Sequence, residues 1–212
     1  MEEKILRSCI DCASANCDKN QSSFPDFCLT TQNPDQDAMD CAMELYAEPE
    51  NRDIMVNAAN IECDHYCRMT RVEEIAAFAK RMGYKKLGIA TCVGLIAESR
   101  TLARVLRSHG FEVFGVACKA GMVKKTAVGI PPKCNKVGEN MCNPIYQAKR
   151  LNNQGTQLNI IMGLCVGHDC LFTKYSDAPV TTLIAKDRVL GHNPAAALYN
   201  ANSYYSRLFK EE

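Results

Sequence analysis

A chain of 212 residues, 47% of them hydrophobic, has room for one α/β domain with a sizeable core and a small additional module. Its 25 basic and 24 acidic residues leave a formal net charge of +1, so no basic excess draws it to a phosphate backbone or to anionic lipid. With no Trp and 7% aromatic residues it also lacks a base-stacking platform, and neither nucleic acid nor a membrane is an expected partner.

Residues 1–34 are short of aliphatic side chains and rich in Cys, Ser, Asn, Asp and Pro. Such a segment cannot build a hydrophobic core, so it is either disordered or folded around a ligand. Its four cysteines favour a Cys-rich metal-binding segment. From residue 35 to 212 the texture is that of an α/β domain, with a helical lead-in over 35–83 and a parallel sheet over 84–212. Asp35-Gln36-Asp37 supplies an acidic first turn to a helix whose Ala38, Cys41, Ala42 and Leu45 share a face. A second helix starts near Pro49, carrying Ile54, Ala58, Ile61 and His65 at helical spacing. Thr70 and Glu73 form a capping-box signature for a third, which ends at Gly83.

Beyond Gly83, buried strands are expected at 86–90, 111–117, 158–162 and 180–185. Helices are expected over 95–108 and 144–152, after His168, and from Pro194; a polar loop spans about 119–141. Apolar strands alternating with helices predict a small doubly wound parallel sheet of about four strands, with helices on both faces.

The start, Met1-Glu2-Glu3-Lys4, has no apolar stretch of signal-peptide length, and no run approaches the roughly 18 apolar residues of a spanning helix. A cytoplasmic address is expected, where thiols stay reduced. There the 13 cysteines read first as metal ligands, then as redox or nucleophilic thiols, and in part as small buried apolar residues.

The first set is Cys9, Cys12, Cys17 and Cys28. A Cys-x2-Cys pair clasps one ion across a tight turn, and two further thiolates complete a tetrahedral site; Cys41 is a spare for the fourth place. The second set follows from the strand order. Cys92, Cys118 and Cys165 each fall just after one of the first three strands, on the carboxyl edge where α/β sheets bind ligands. If the third strand lies across the first from the second, a switch point opens there. Cys142 precedes a helix, where the dipole favours thiolate. Cys170 is a further ligand or resolving thiol, whereas Cys63 and Cys67 read as packed thiols. Cys134 has no assigned role. Gly163 and Gly167 allow close backbone approach to a ligand, and the adjacent helix start offers N–H donors to an anion. Lys119, Gly167, His168 and Asn193 are therefore candidate substrate contacts, although Asn193 equally caps the last helix. Lys186-Asp187-Arg188 equally reads as a solvated strand end. No Walker loop, Gly-x-Gly-x-x-Gly or His-Glu-x-x-His motif is present.

Cys9-x2-Cys12-x4-Cys17, Thr70-Arg71-Val72-Glu73-Glu74, Cys92-x-Gly94-Leu95, Cys118-Lys119, Cys142-Asn143-Pro144, Gly163-Leu164-Cys165-Val166-Gly167-His168-Asp169 and Lys186-Asp187-Arg188-Val189-x-Gly191-His192-Asn193-Pro194 together resemble a known family. It is the prokaryotic family catalogued as domain of unknown function 1847, whose members are commonly labelled predicted metal-binding proteins. The resemblance implies metal binding in a bacterial or archaeal cytoplasm and lends no reaction.

The leading expectation is a zinc or iron–sulfur protein with one centre on the N-terminal thiolates and a second at the sheet edge. Its role would be redox chemistry or electron transfer to a small molecule or redox partner. The alternatives are a zinc-stabilised binding module without catalysis, or a thiol enzyme using Cys165 or Cys92 as nucleophile and His168 as base.

Overall fold

The computed structural model describes residues 6–19 and 23–210; the polar start read above lies outside them. By its internal contacts the chain divides into two compact units, Met1–Val56 and Asn57–Glu212.

In the first unit, single-turn 3-10 helices form at Cys9–Asp11 and Asn16–Asp18. The Asp11 carboxylate accepts the Ser8 backbone N–H at 2.8 Å, which fixes the first of these turns. Arg7 grips both carboxylate oxygens of Asp26 at 2.9 and 2.8 Å and lies 4.4 Å over the Phe27 ring. Helix α1 (Gln36–Ala47) is capped by Asp35, whose side chain accepts the Ala38 N–H at 3.0 Å. The face read from Ala38, Cys41, Ala42 and Leu45 forms on this helix, yet α1 buries no residue. A unit so poor in aliphatic residues has too little apolar surface to close a core over it. Helix α2 (Pro49–His65) follows, and the division between the units falls within it.

The second unit is built on a sheet. After α3 (Arg71–Arg81) come β1 (Lys86–Thr91), α4 (Ile96–Ser108), β2 (Glu112–Ala117), α5 (Pro144–Asn152), β3 (Leu158–Met162), α6 (His168–Tyr175), β4 (Val180–Ile184) and α7 (Ala195–Tyr199). The Thr70–Glu73 capping box forms as its spacing predicts: the Glu73 carboxylate accepts from the Thr70 N–H and hydroxyl, both at 2.7 Å. All pairings are parallel, in the order β2-β1-β3-β4.

Parallel strands covered on both faces need apolar side chains at nearly every position, and this sheet has them. Leu87 and Ile89 of β1 point with Leu158, Ile160 and Met162 of β3 to one face, against Ile75 and Ala79 of α3 and Leu102 and Leu106 of α4. Ala90, Val116 and Ile161 point to the other, against Ala148 and Leu151 of α5 and Phe172 of α6. Helices thus cover both faces of a doubly wound sheet.

One buried polar network crosses the second face. Asn159 of β3 accepts from the Thr156 hydroxyl at 2.7 Å and donates to Ser176 at 2.8 Å. It occupies the space that a side chain at the paired position of β1 would fill. A Cβ at Gly88 would stand 2.0 Å from the Asn159 Oδ1, so only glycine fits there.

Candidate functional site

The strand order creates a switch point beside β1. The chain leaves β1 towards α4 on one face and leaves β3 towards α6 on the other, so the connections part at the carboxyl ends of neighbouring strands. Thr91 pairs with Ala117 and with Met162, so Cys92 and Cys118 are the next residues in register beyond the last row. Main-chain bonds extend that row: Cys118 donates to the Thr91 carbonyl at 2.8 Å and Cys92 to the Met162 carbonyl at 3.1 Å. Strands at the usual spacing of about 4.8 Å therefore end in cysteines on neighbouring tracks.

Cys142 arrives by a different route. Between β2 and α5 the chain forms a lobe with two 3-10 turns, Lys125–Val128 and Pro132–Val137. Its two arms are joined by antiparallel pairing of Lys124 with Asn140. The lobe returns to the sheet where the Asn143 N–H meets the Cys118 carbonyl at 2.7 Å. Asn143 then caps α5, its side chain accepting from the Tyr146 N–H at 3.1 Å, and Pro144 opens the helix. One turn on, the fully buried Gln147 donates its side-chain amide to the Thr91 and Val116 carbonyls at 3.1 and 2.7 Å. This amide ties the ends of β1 and β2 to the helix that Cys142 precedes.

These segments enclose a cavity of about 920 Å³. Cys92, Cys118, Cys142 and Cys165 line it, together with Cys134 from the lobe. Lys119 and His168 are in the wall as well, so six of the sheet-edge residues singled out in the sequence meet in one place. Gly167 and Asn193 adjoin lining residues without belonging to the lining. Gly167 is the residue before α6, with φ +83°, but the start of that helix is not an open anion cradle. Its His168 and Asp169 N–H groups donate to the Cys165 carbonyl, and the Cys170 N–H donates to the Asp169 side chain.

The electrostatics single out a thiol pair. The half-buried Cys142 lies in hydrogen-bonding contact with the buried Cys118. The Cys118 thiol beside it, then Lys119 and His168, pull Cys142 down to about 5. Cys118 is pushed up, first because it gives its hydrogen bond to Cys142 and then by burial. Cys165 accepts from the Arg188 guanidinium at 3.0 Å, and that contact raises Arg188 further.

Several lining residues were not legible as site residues. Cys134, Lys125 and His192 join the wall, as do Lys186, Asp187 and Arg188, for which a solvated strand end was an equal reading. Lys125 is buried and donates to the Cys134 carbonyl. The available signal was the lobe's length between two cysteines: a loop anchored at Cys118 and Cys142 must fold back over the strand edge.

In the N-terminal unit, Cys12 and Cys28 are close enough to feel each other's charge. The Ser14 hydroxyl lowers Cys12 and the Thr31 hydroxyl lowers Cys28, while Cys9 and Cys17 are exposed. All 13 cysteines are free. Among the described residues, no three His, Cys, Asp or Glu side chains are drawn together tightly enough to hold one ion. No helix among them is long and apolar enough to cross a membrane.

Fold and site together define a cysteine-rich α/β protein with a thiol-lined cavity at the switch point of a doubly wound sheet. The chain belongs to the family of proteins of unknown function DUF1847, whose profile matches residues 28–183. That span holds Cys28 and all five cavity cysteines; Cys9, Cys12, Cys17 and the segment after β4 lie outside it. The chain is also 48% identical over 186 residues to an uncharacterised protein of Methanocaldococcus jannaschii, a match covering 87% of this chain and 94% of that one.

Proposed function

We propose that the cavity holds a thiolate-ligated metal centre on Cys92, Cys118, Cys142 and Cys165, and that it serves redox chemistry on a small molecule. One observation carries this reading: four thiols from four separate segments line a single cavity at the sheet's ligand-binding edge. The donor set fits a soft metal. Zinc–sulfur bonds of about 2.3 Å would put four thiolates about 3.8 Å apart; Cys118 and Cys142 are already hydrogen-bonded, but among the described residues no three such side chains are gathered that closely. A centre with its own bridging sulfides spreads its thiolates more widely, and because zinc has no redox chemistry of its own, the redox reading calls for iron–sulfur. When bound, such a centre supplies or accepts single electrons.

The chain's own groups prepare the site. Cys142 is poised as a thiolate, the ligating form. Lys119 and Arg188 offset the negative charge that gathered thiolates accumulate. Gln147 holds the strand ends at fixed spacing, and Ile130, Val137 and Met141 line the wall with apolar side chains. The N-terminal Cys9, Cys12, Cys17 and Cys28 are a second candidate set, supported by the proximity of Cys12 and Cys28.

A second reading is favoured by the hydrogen bond that Cys118 gives to Cys142: thiol chemistry without metal, with Cys142 rather than Cys92 or Cys165 as nucleophile. Anaerobic purification followed by iron, zinc and acid-labile sulfide analysis separates the readings. The expected result is iron with sulfide and broad visible absorption. Zinc without sulfide means a structural centre, and a metal-free protein with a single fast-alkylating Cys142 means the thiol reading.

A further inference from the structure

We infer that the same cavity carries an oxyanion subsite, formed by Lys119, Lys186 and Arg188, for a small metabolite bearing a carboxylate or phosphate group. The inference deepens the reading above, and depends on it only in making the bound anion the molecule that reacts.

Charge balance is the first ground. Lys119, Lys125, Lys186 and Arg188 line the cavity, against one carboxylate, Asp187. That carboxylate is engaged with its own turn: one oxygen accepts the Val189 and Leu190 N–H groups, each at 2.8 Å. Among the described residues the ion pairs are Arg7 with Asp26, Arg81 with Asp64 and Lys86 with Glu112, so none neutralises a cavity cation. Thiolates of a metal centre would offset only part of this excess.

Donor geometry is the second. Lys119 gives one proton to the Asn140 carbonyl and a second to the Cys142 sulfur, which leaves one. Arg188 has one N–H group on the Cys165 sulfur, which leaves most of its planar fork for an oxyanion. Lys186 reaches in over Gly163, where an added Cβ would stand 3.4 Å from its ammonium nitrogen and 2.2 Å from Leu95. Gly163 has φ +68°, so glycine makes the turn out of β3 and leaves room for Leu95, with the lysine ammonium in ordinary contact distance above it. His192 adds a ring donor. Its Nδ1 accepts the Asp187 N–H at 3.1 Å, which leaves the proton on Nε2.

Size and lining agree. A cavity of about 920 Å³ is far larger than one ion requires and lies in the range of small-molecule sites. Ile130, Val137 and Met141 provide an apolar wall for the carbon portion of such a molecule. Because Arg188 touches Cys165, and Lys119 acts on Cys142, an anion held between them would lie against the thiols.

Isothermal titration calorimetry with inorganic phosphate and with succinate, at low ionic strength, tests this on protein as purified anaerobically and again after chelation. One of the two anions is expected to bind at a single site per chain, with affinity that weakens as salt is added. Arg188→Gln and Lys186→Gln should each weaken binding about tenfold, whereas Lys80→Gln, at an exposed position of α3, should not change it. Phosphate binding alone indicates a phosphate ester, and succinate alone a carboxylate. The inference fails if neither anion binds to folded wild-type protein, or if both cavity variants bind as wild type does. Anion binding by a protein that never acquires metal would sink the metal reading and leave the subsite standing. Metal without anion binding would do the reverse.

Discussion

The backbone N–H of Asn143 meets the carbonyl of Cys118 at 2.7 Å, and this bond brings Cys142 to the end of a strand it does not follow in sequence. Cys118 gains a partner thiol, the lobe between them closes over the strand edge, and α5 starts at a fixed point.

Gln147 holds that point in place. Its side-chain amide donates to two strand-end carbonyls, while among the described residues its own oxygen has no partner. Gln147→Leu keeps the volume but deprives the Val116 and Thr91 carbonyls of this donor. A loss of about 1–3 kcal/mol in urea unfolding is expected. Unchanged stability would mean that the amide does not tie the strands.

The packing of Gly88 against Asn159 makes a sharper test. A methyl at position 88 would overlap the Asn159 oxygen and approach Leu151 at 2.9 Å, both on the α5 face of the sheet. Gly88→Ala is expected to cost about 2–4 kcal/mol, through overpacking and a disturbed buried network. In the Asn159→Ala background the added cost of Gly88→Ala should fall well below that, a coupling measured by a double-mutant cycle. Simple additivity would show that the collision is relieved elsewhere.

Reactivity should report the thiol pair. Because Cys142 is lowered to about 5, its thiolate fraction rises as pH climbs through that value and is nearly complete at neutrality. In metal-free protein, its alkylation by iodoacetamide should therefore level off well below the ordinary thiol value of about 8.5. Cys118→Ala removes the principal cause of the lowering, so the inflection should move upward. Peptide mass spectrometry across about pH 4–9 follows it. An inflection near the ordinary value in wild-type protein would show that Cys118 does not lower Cys142.

Much of the fold was legible because it rests on local rules. Lys86-Leu87-Gly88-Ile89-Ala90 and Leu158-Asn159-Ile160-Ile161-Met162 read as strands buried on both faces, and Thr70 with Glu73 marked a helix start. Cys92 and Cys118, directly after strands, and Cys165, three residues beyond β3, were legible for the same reason, since strand ends in a parallel sheet share an edge. Cys134, Lys125 and Arg188 enter through loops whose course is set by tertiary bonds, such as Lys124 with Asn140 and Arg188 with Cys165. No periodicity encodes those bonds. The anion-binding helix start expected after Gly167 did not form, because Cys165 and Asp169 take up its N–H groups from within the same short segment.

The central claim is that the cavity thiols gather a metal. Its most direct test is metal content per chain in anaerobically purified wild-type protein, set against a Cys142→Ser/Cys165→Ser variant and a Cys9→Ser/Cys12→Ser variant, each confirmed as folded by circular dichroism. The account predicts that wild-type protein carries metal and that the cavity variant loses what its centre held. The N-terminal variant should keep that centre. Full retention of metal by the folded cavity variant, or metal-free wild-type protein from cells supplied with iron and zinc, would contradict it.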